Sequence, residues 1–155
     1  MIYTKMTMDA MQLCFAAHVE QDDQCLVPYV FHPFHVAEQM DDEISTTVAL
    51  LHDVLEDCTF YSSEDLRKEY PGEVAEAVIL LTRDRSMTYD EYIKDLSKNP
   101  IARKVKIADL MHNIDPGRRF HGDERFRERY ADALAYLIEV ENEKRDKGNE
   151  DPAGC

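Results

Sequence analysis

Three short stretches of this chain carry side chains whose types and spacing suit metal-assisted chemistry. The first is Leu50-Leu51-His52-Asp53-Val54-Leu55-Glu56-Asp57. In a helix, positions i, i+1, i+4 and i+5 share a broad face. His52, Asp53, Glu56 and Asp57 therefore project together, while Leu51, Val54 and Leu55 take most of the remaining surface. Three carboxylates and an imidazole on a helix that is otherwise apolar are expensive to bury. A divalent cation offsets that cost. A solvated acidic face is the plainer alternative, but acids near a helix C-terminus oppose the macrodipole.

The second stretch, Lys104-Val105-Lys106-Ile107-Ala108-Asp109-Leu110-Met111-His112-Asn113, sets Asp109 among apolar neighbours, with Asn113 one turn later on the same face. A buried lone aspartate needs a partner. Lys106 serves as a salt bridge, or a metal serves instead, and the helix alone does not choose. The third stretch is Tyr29-Val30-Phe31-His32-Pro33-Phe34-His35. His32, His52, Asp53 and Asp109 make a set of two imidazoles and two carboxylates without thiolate. That set suits a catalytic divalent metal such as Mn²⁺ or Fe²⁺ better than structural Zn²⁺. His35, one turn after His32, reads as a supporting or surface residue.

The elements that must position these residues are helices. Gly (5) and Pro (6) are few, and no run of alternating β-branched residues stands out. The pattern predicts a first helix near Thr7–Ala17 with Met8, Met11, Phe15 and Val19 inward. A second runs from about Pro33 to Met40, and a third from Ser45 to Glu56. Ser63 reads as the cap of a helix to Tyr70, and Pro71 opens another through Leu81. Thr88 caps Tyr89–Leu96, Asn99-Pro100 starts a helix through Asn113, and Asp115-Pro116-Gly117 stops it. A last amphipathic helix spans about Asp123–Val140, with Tyr130, Leu134, Leu137 and Ile138 inward. The expectation is one all-α domain over residues 1–140, about seven to eight helices, with residues 141–155 a frayed polar tail.

Composition narrows the function. Lys and Arg total 18 against 32 Asp and Glu in 155 residues, a formal charge of −14. Such a balance disfavours general nucleic-acid binding and docking on an anionic membrane. No apolar run approaches a membrane span, and Met1–Ala10 lacks the apolar stretch of a signal peptide, so a cytoplasmic location is expected. Cys14, Cys25, Cys58 and Cys155 form no metal-type spacing and read as reduced thiols. Charge is uneven. No Lys or Arg lies between Lys5 and Arg67, while eight of the cations fall within Arg103–Arg129. That later segment is the expected source of positive charge for an anion. Arg125, Arg127 and Arg129 read as a solvated helix face.

Taken together, Tyr29-x-x-His32-Pro33-x-x-Val36-Ala37, Ala49-Leu50-Leu51-His52-Asp53-x-x-Glu56-Asp57, Leu81-Thr82-Arg83 and Val105-Lys106-Ile107-Ala108-Asp109-x-x-His112-Asn113 resemble the HD superfamily. More closely, over roughly residues 8–140, they are similar to the (p)ppGpp hydrolase domain of the RelA/SpoT family and its small stand-alone versions. The resemblance implies an all-α HD bundle with Mn²⁺ as the usual metal; Fe²⁺, Zn²⁺ and Mg²⁺ are alternatives. His32, His52, Asp53 and Asp109 match the metal ligands, Glu56 and Asp57 the pair that handles the attacking water, and Asn113 a nucleotide contact. Lys106, Arg83 and Arg118 are then candidates to balance phosphate charge, with a structural ion pair the equal alternative for Lys106. The implied activity is phosphohydrolysis of a small phosphorylated nucleotide, with 3′-pyrophosphate removal from guanosine 3′,5′-bis(diphosphate) first. Alternatives are a nucleotide phosphatase or pyrophosphatase of different substrate, or a non-catalytic nucleotide-sensing binder. The loop Glu20-Gln21-Asp22-Asp23-Gln24-Cys25-Leu26-Val27 lacks the basic residues that the family usually carries there. The pattern leaves oligomeric state open.

Overall fold

Short polar caps divide the chain into helices. The computed structural model describes residues 1–24, 26–117 and 124–149. Thr4 caps α1 (Lys5–His18) in a reciprocal box with Thr7, and α2 is Phe31–Glu38. Asp42 caps α3 (Glu43–Leu51), and α4 is the single turn Val54–Asp57. Ser62, rather than Ser63, caps α5 (Ser63–Glu69), because Asp65 returns its carboxylate to the Ser62 N–H. Next come α6 (Gly72–Leu81) and α7 (Tyr89–Leu96, boxed by Thr88 and Glu91). Asn99 caps α8 (Pro100–Asn113), and α9 is Glu124–Asn149. Among the described residues these are all the helices and there is no strand, which matches the all-α expectation. No helix is long and apolar enough to cross a membrane.

The count exceeds eight because the expected helix Ser45–Glu56 breaks into α3 and α4 at His52-Asp53. No glycine or proline marks that break. The centre of the fold is α3, whose residues Ser45–Leu51 are all buried. It packs against α1, α2, α6 and α8, so every face of it is covered. Leu50, Leu51, Leu66, Leu96, Leu110 and Leu137 are among the largest fully buried side chains.

Two outer helices differ from the sequence pattern. The buried face of α1 is Thr7, Ala10, Cys14 and His18, whereas Met8, Phe15 and Val19 are exposed. Polar His18 and Thr7 take inward positions because they make local hydrogen bonds there, which hydropathy does not register. The last helix continues past Val140 to Asn149. Arg103, itself buried, reaches Glu141 Oε2 at 2.7 Å, and the residues beyond are mostly strong helix formers. Leu137 is buried as expected, but Ile138 is exposed. Cys14 and Cys58 are buried free thiols. Burial, with Asp53 nearby, pushes the Cys14 thiol up to about 12, which disfavours the reactive thiolate. Cys25, Arg118 and Cys155 lie outside the described residues.

Candidate active site

The break between α3 and α4 creates the site. In a continuous helix His52 and Asp53 would diverge by about 100°. Here Asp53 leaves helical geometry, with φ −105° and ψ −4°, and its Oδ2 comes to 2.9 Å from His52 Nε2. From α2, His32 places Nε2 3.9 Å from Asp53 Oδ2 and 3.0 Å from Asp109 Oδ1. From α8, Asp109 Oδ1 lies 3.8 Å from His52 Nε2. His32, His52 and Asp109 are buried and offer ligand atoms that lie within 4.8 Å of one another. Asp53 abuts both imidazoles of that triad.

Hydrogen bonds on the far ring nitrogens set the chemistry of the near ones. His52 Nδ1 donates to the Ala49 carbonyl at 2.7 Å, so Nε2 is the nitrogen turned to the cluster and becomes a metal ligand once it loses its proton. That Nε2 is buried, with Asp53 Oδ2 2.9 Å away. His32 Nδ1 lies 2.7 Å from His112 Nδ1, which occupies the far nitrogen and turns Nε2 to the cluster. The two near nitrogens face two carboxylates at 2.9 Å to 3.9 Å, a setting that favours positive charge, which the His52 proton supplies and a divalent cation can supply in its place. A divalent cation fits this set of two nitrogens and two oxygens.

The carboxylates are prepared to stay ionised. Burial works to raise Asp109, but Lys106 and the two imidazoles hold it well below the usual carboxylate range. Lys106 Nζ sits 2.7 Å from Asp109 Oδ2, the oxygen turned away from the imidazoles. Burial likewise works against ionised Asp53, and His52 and His32 overcome it. Tyr29 donates its hydroxyl to Asp53 Oδ2. Burial lowers the His52 imidazolium, yet Asp53, Asp109 and the Ala49 carbonyl raise it further, to about 9.

The short helix α4 links this buried centre to an open cleft. Glu56 and Asp57 follow Asp53 by one turn and line a cleft of about 530 Å³ with Leu55, Thr82, Arg83 and Arg85. The Arg83 backbone N–H donates to Glu56 Oε1 at 2.6 Å. Desolvation pushes the Glu56 carboxyl above its ordinary value; the Arg83 N–H opposes this, and Asp53 and Asp57 add to it. Gln21 Nε2 donates to Asp57 Oδ2 at 3.0 Å, and the fully buried His18 orients the Gln21 amide through Nδ1 at 2.8 Å.

Known proteins bear on this geometry. No family model matches the chain. A probable GTP pyrophosphokinase from Mycobacterium leprae is 30% identical over 129 residues, covering 72% of this chain and 16% of that protein. A putative chloroplastic GTP diphosphokinase from Arabidopsis thaliana is 28% identical over 127 residues, covering 67% of this chain and 14% of that protein. The chain thus spans under a fifth of the length of either relative. A solved structure, described as a metazoan ortholog of SpoT that hydrolyses ppGpp, superposes with a TM-score of 0.72 at 25% identity. That likeness covers 90% of this chain and 87% of the other. The chain resembles the RelA/SpoT-type HD domain.

The other residues singled out in the sequence of this domain take these places. Asn113 Nδ2 donates to Asp109 Oδ1 at 2.6 Å, so it meets the centre through that carboxylate. Arg83 Nη2 donates to the Met87 carbonyl at 2.7 Å. His35 is exposed and stacks on His112 with ring centres 4.0 Å apart. Arg129 is no solvated surface residue, since its guanidinium lies 4.4 Å from the Tyr89 ring centre. Residues given no role in the sequence but placed at the site are Tyr29, His18, Gln21 and His112. For His112 a signal existed, because it follows Asp109 by three residues on α8 and so shares its face.

Two expectations follow from the ring nitrogens. His112→Phe keeps an aromatic ring against His35 but removes the partner of His32 Nδ1. Metal affinity should fall about 10–100-fold, the usual effect of losing a histidine's outer partner, with the melting temperature little changed. Isothermal titration with Mn²⁺ reads this directly. Because His52 in the metal-free site titrates near 9, metal must displace its proton at neutral pH. Below pH 9, affinity should rise about tenfold per pH unit for each proton displaced. Affinity that does not change between pH 6 and 8 would contradict this.

Proposed function

We propose that this domain is a metal-dependent phosphohydrolase of a small phosphorylated nucleotide. Guanosine 3′,5′-bis(diphosphate), losing its 3′-pyrophosphate, is the first candidate. The observation that carries the reading is the buried His32–His52–Asp109 triad, flanked by Asp53, one helical turn from a cleft carboxyl whose proton affinity is raised. The likeness to a ppGpp-hydrolysing relative supports the substrate class.

His32, His52, Asp53 and Asp109 would hold the cation, and Mn²⁺ suits the donor set. When bound, such an ion polarises a phosphoryl oxygen and makes water more acidic. Glu56, ionised and turned to the cleft, takes the proton of the attacking water as its oxygen bonds to phosphorus. The bond from phosphorus to the leaving oxygen breaks, and Glu56 or Asp57 returns a proton to that oxygen. The Gln21 amide holds Asp57 in place for this exchange. Asn113 and Lys106 fix the two oxygens of Asp109, so their contribution to substrate binding runs through that carboxylate.

One observation favours a second substrate. The loop preceding Tyr29 is closed on itself: Asp23 N–H donates to Val27 O at 2.8 Å, and Asp23 Oδ1 accepts from Val27 N–H at 3.1 Å. Leu26 takes a left-handed φ of 60° to complete the turn, a conformation uncommon outside glycine. The acids of this loop repel a polyphosphate, which favours a nucleotide phosphatase or pyrophosphatase with different base contacts. A phosphate and pyrophosphate release screen over a nucleotide panel with Mn²⁺, run beside Asp53→Ala, tests both. Release that Asp53→Ala abolishes supports the activity and names the substrate. No release from any nucleotide by metal-loaded protein would refute it.

A further inference from the structure

The first helix buries its smaller side chains and exposes its larger ones. Thr7, Ala10, Cys14 and His18 face the core, whereas Met8, Phe15 and Val19 are 48%, 54% and 54% exposed. At about 100° per residue, positions i, i+7 and i+11 fall within about 40° of the helix circumference, so the three form one stripe along α1. Exposed apolar groups also stand at both ends of the helix. Tyr3, just before it, is 70% exposed, and in the loop after it Leu26 is 84% exposed on a left-handed φ of 60°. That backbone is unfavourable for a bulky residue, and water offers the Leu26 side chain no compensating contact.

Exposed Lys5, Asp9, Gln12 and Glu20 edge the stripe. An apolar stripe with a polar rim marks a contact between proteins. Spacing and charge identify the partner. A closed pair of identical chains needs a surface that complements itself across a two-fold axis. With the axis midway along the stripe and the helices antiparallel, Met8 of each copy meets Phe15 of the other. Lys5 is the only Lys or Arg before Arg67 and lies at one end of the helix, while Glu20 and Asp22 follow the other end. Antiparallel pairing sets Lys5 of each copy at the acidic end of the other. It also sets each positive helix N-terminus beside the partner's negative C-terminus. A parallel pair would bring like ends together. The stripe is small beside the about 20–30 residues a side of a standard interface, so the pair is expected to be weak and reversible.

We propose that α1 is a docking surface for a second copy of this chain, joined antiparallel through Met8, Phe15 and Val19. The test is sedimentation equilibrium of the full chain from micromolar to millimolar concentration. About 0.15 M salt screens the repulsion between two chains of charge −14. A reversible monomer–dimer equilibrium is expected. Phe15→Glu and Met8→Lys each change an exposed position, so the melting temperature should hold. Each should weaken pairing at least about tenfold, because the change occurs twice across the axis. The two variants mixed should bind each other at least about threefold more tightly than either binds itself. The mixed pair sets the new ammonium against the new carboxylate at one contact and keeps the native contact at the other. Ile138→Glu, an exposed position on α9, should leave pairing unchanged. A chain that stays monomeric at millimolar concentration leaves the stripe to another occupant and overturns the proposal. Pairing that survives Phe15→Glu, or that Ile138→Glu weakens equally, overturns it too. Mixed variants that show no preference for each other would overturn the antiparallel arrangement.

Discussion

Asp53→Ala is expected to abolish metal binding and with it all hydrolysis, while the chain remains folded. Asp53 meets both imidazoles and accepts the Tyr29 hydroxyl, but no lysine depends on it. Losing a direct ligand should cost more than the about 10–100-fold drop in metal affinity that follows loss of an outer partner. Asp109→Ala is a poorer test. It would strand the half-buried Lys106 ammonium, and since breaking a fully buried pair destabilises by about 3–5 kcal/mol, lost activity could report unfolding as well as lost metal. Metal analysis of purified protein and thermal melting together decide the matter. Asp53→Ala protein that still holds stoichiometric metal would show that the four side chains do not act as one centre.

Glu56→Gln is expected to lower kcat by about 10²–10⁴ with metal content and melting temperature preserved. The glutamine carbonyl can still accept the Arg83 N–H, so the turn between α6 and α7 keeps its anchor. What disappears is the group that ionises. Desolvation raises the Glu56 carboxyl above its ordinary value. The base works only when deprotonated, so activity at saturating metal should fall as pH drops through that raised value. The acidic limb of the kcat profile should therefore lie above the ordinary carboxylate range and vanish in Glu56→Gln. Full turnover in the variant would assign the water-activating role elsewhere, with Asp57 the next candidate.

How much of the site was legible in the chain depends on the residue. His32, His52, Asp53 and Asp109 stand out because they are polar groups set in apolar surroundings, a local contradiction that burial makes costly. In the fold His32, His52 and Asp109 offer atoms within 4.8 Å of one another, and Asp53 Oδ2 lies 2.9 Å from His52 Nε2. Lys106 had two equal readings, and its 2.7 Å contact with Asp109 Oδ2 is one the helix repeat allows but does not choose. His112 was overlooked because its role depends on meeting His32 from another helix, 80 positions earlier in the chain. Arg129 was misread for a similar reason. On α9 it looks like one of several surface cations, and only packing against Tyr89 of α7 withdraws it from water.

The amino-acid pattern by itself determined the helical class, most helix starts and which polar side chains stand in apolar surroundings. Capping residues, helical periodicity and the cost of burying charge all act within a few positions of one another. The tertiary fold alone decided the break at His52-Asp53, the hydrogen-bond partners of His32 and His52, and the gathering of Arg83 and Arg129 on one ring. Each of these depends on distances between groups far apart in the chain, and on how far each is desolvated. No local pattern encodes either quantity.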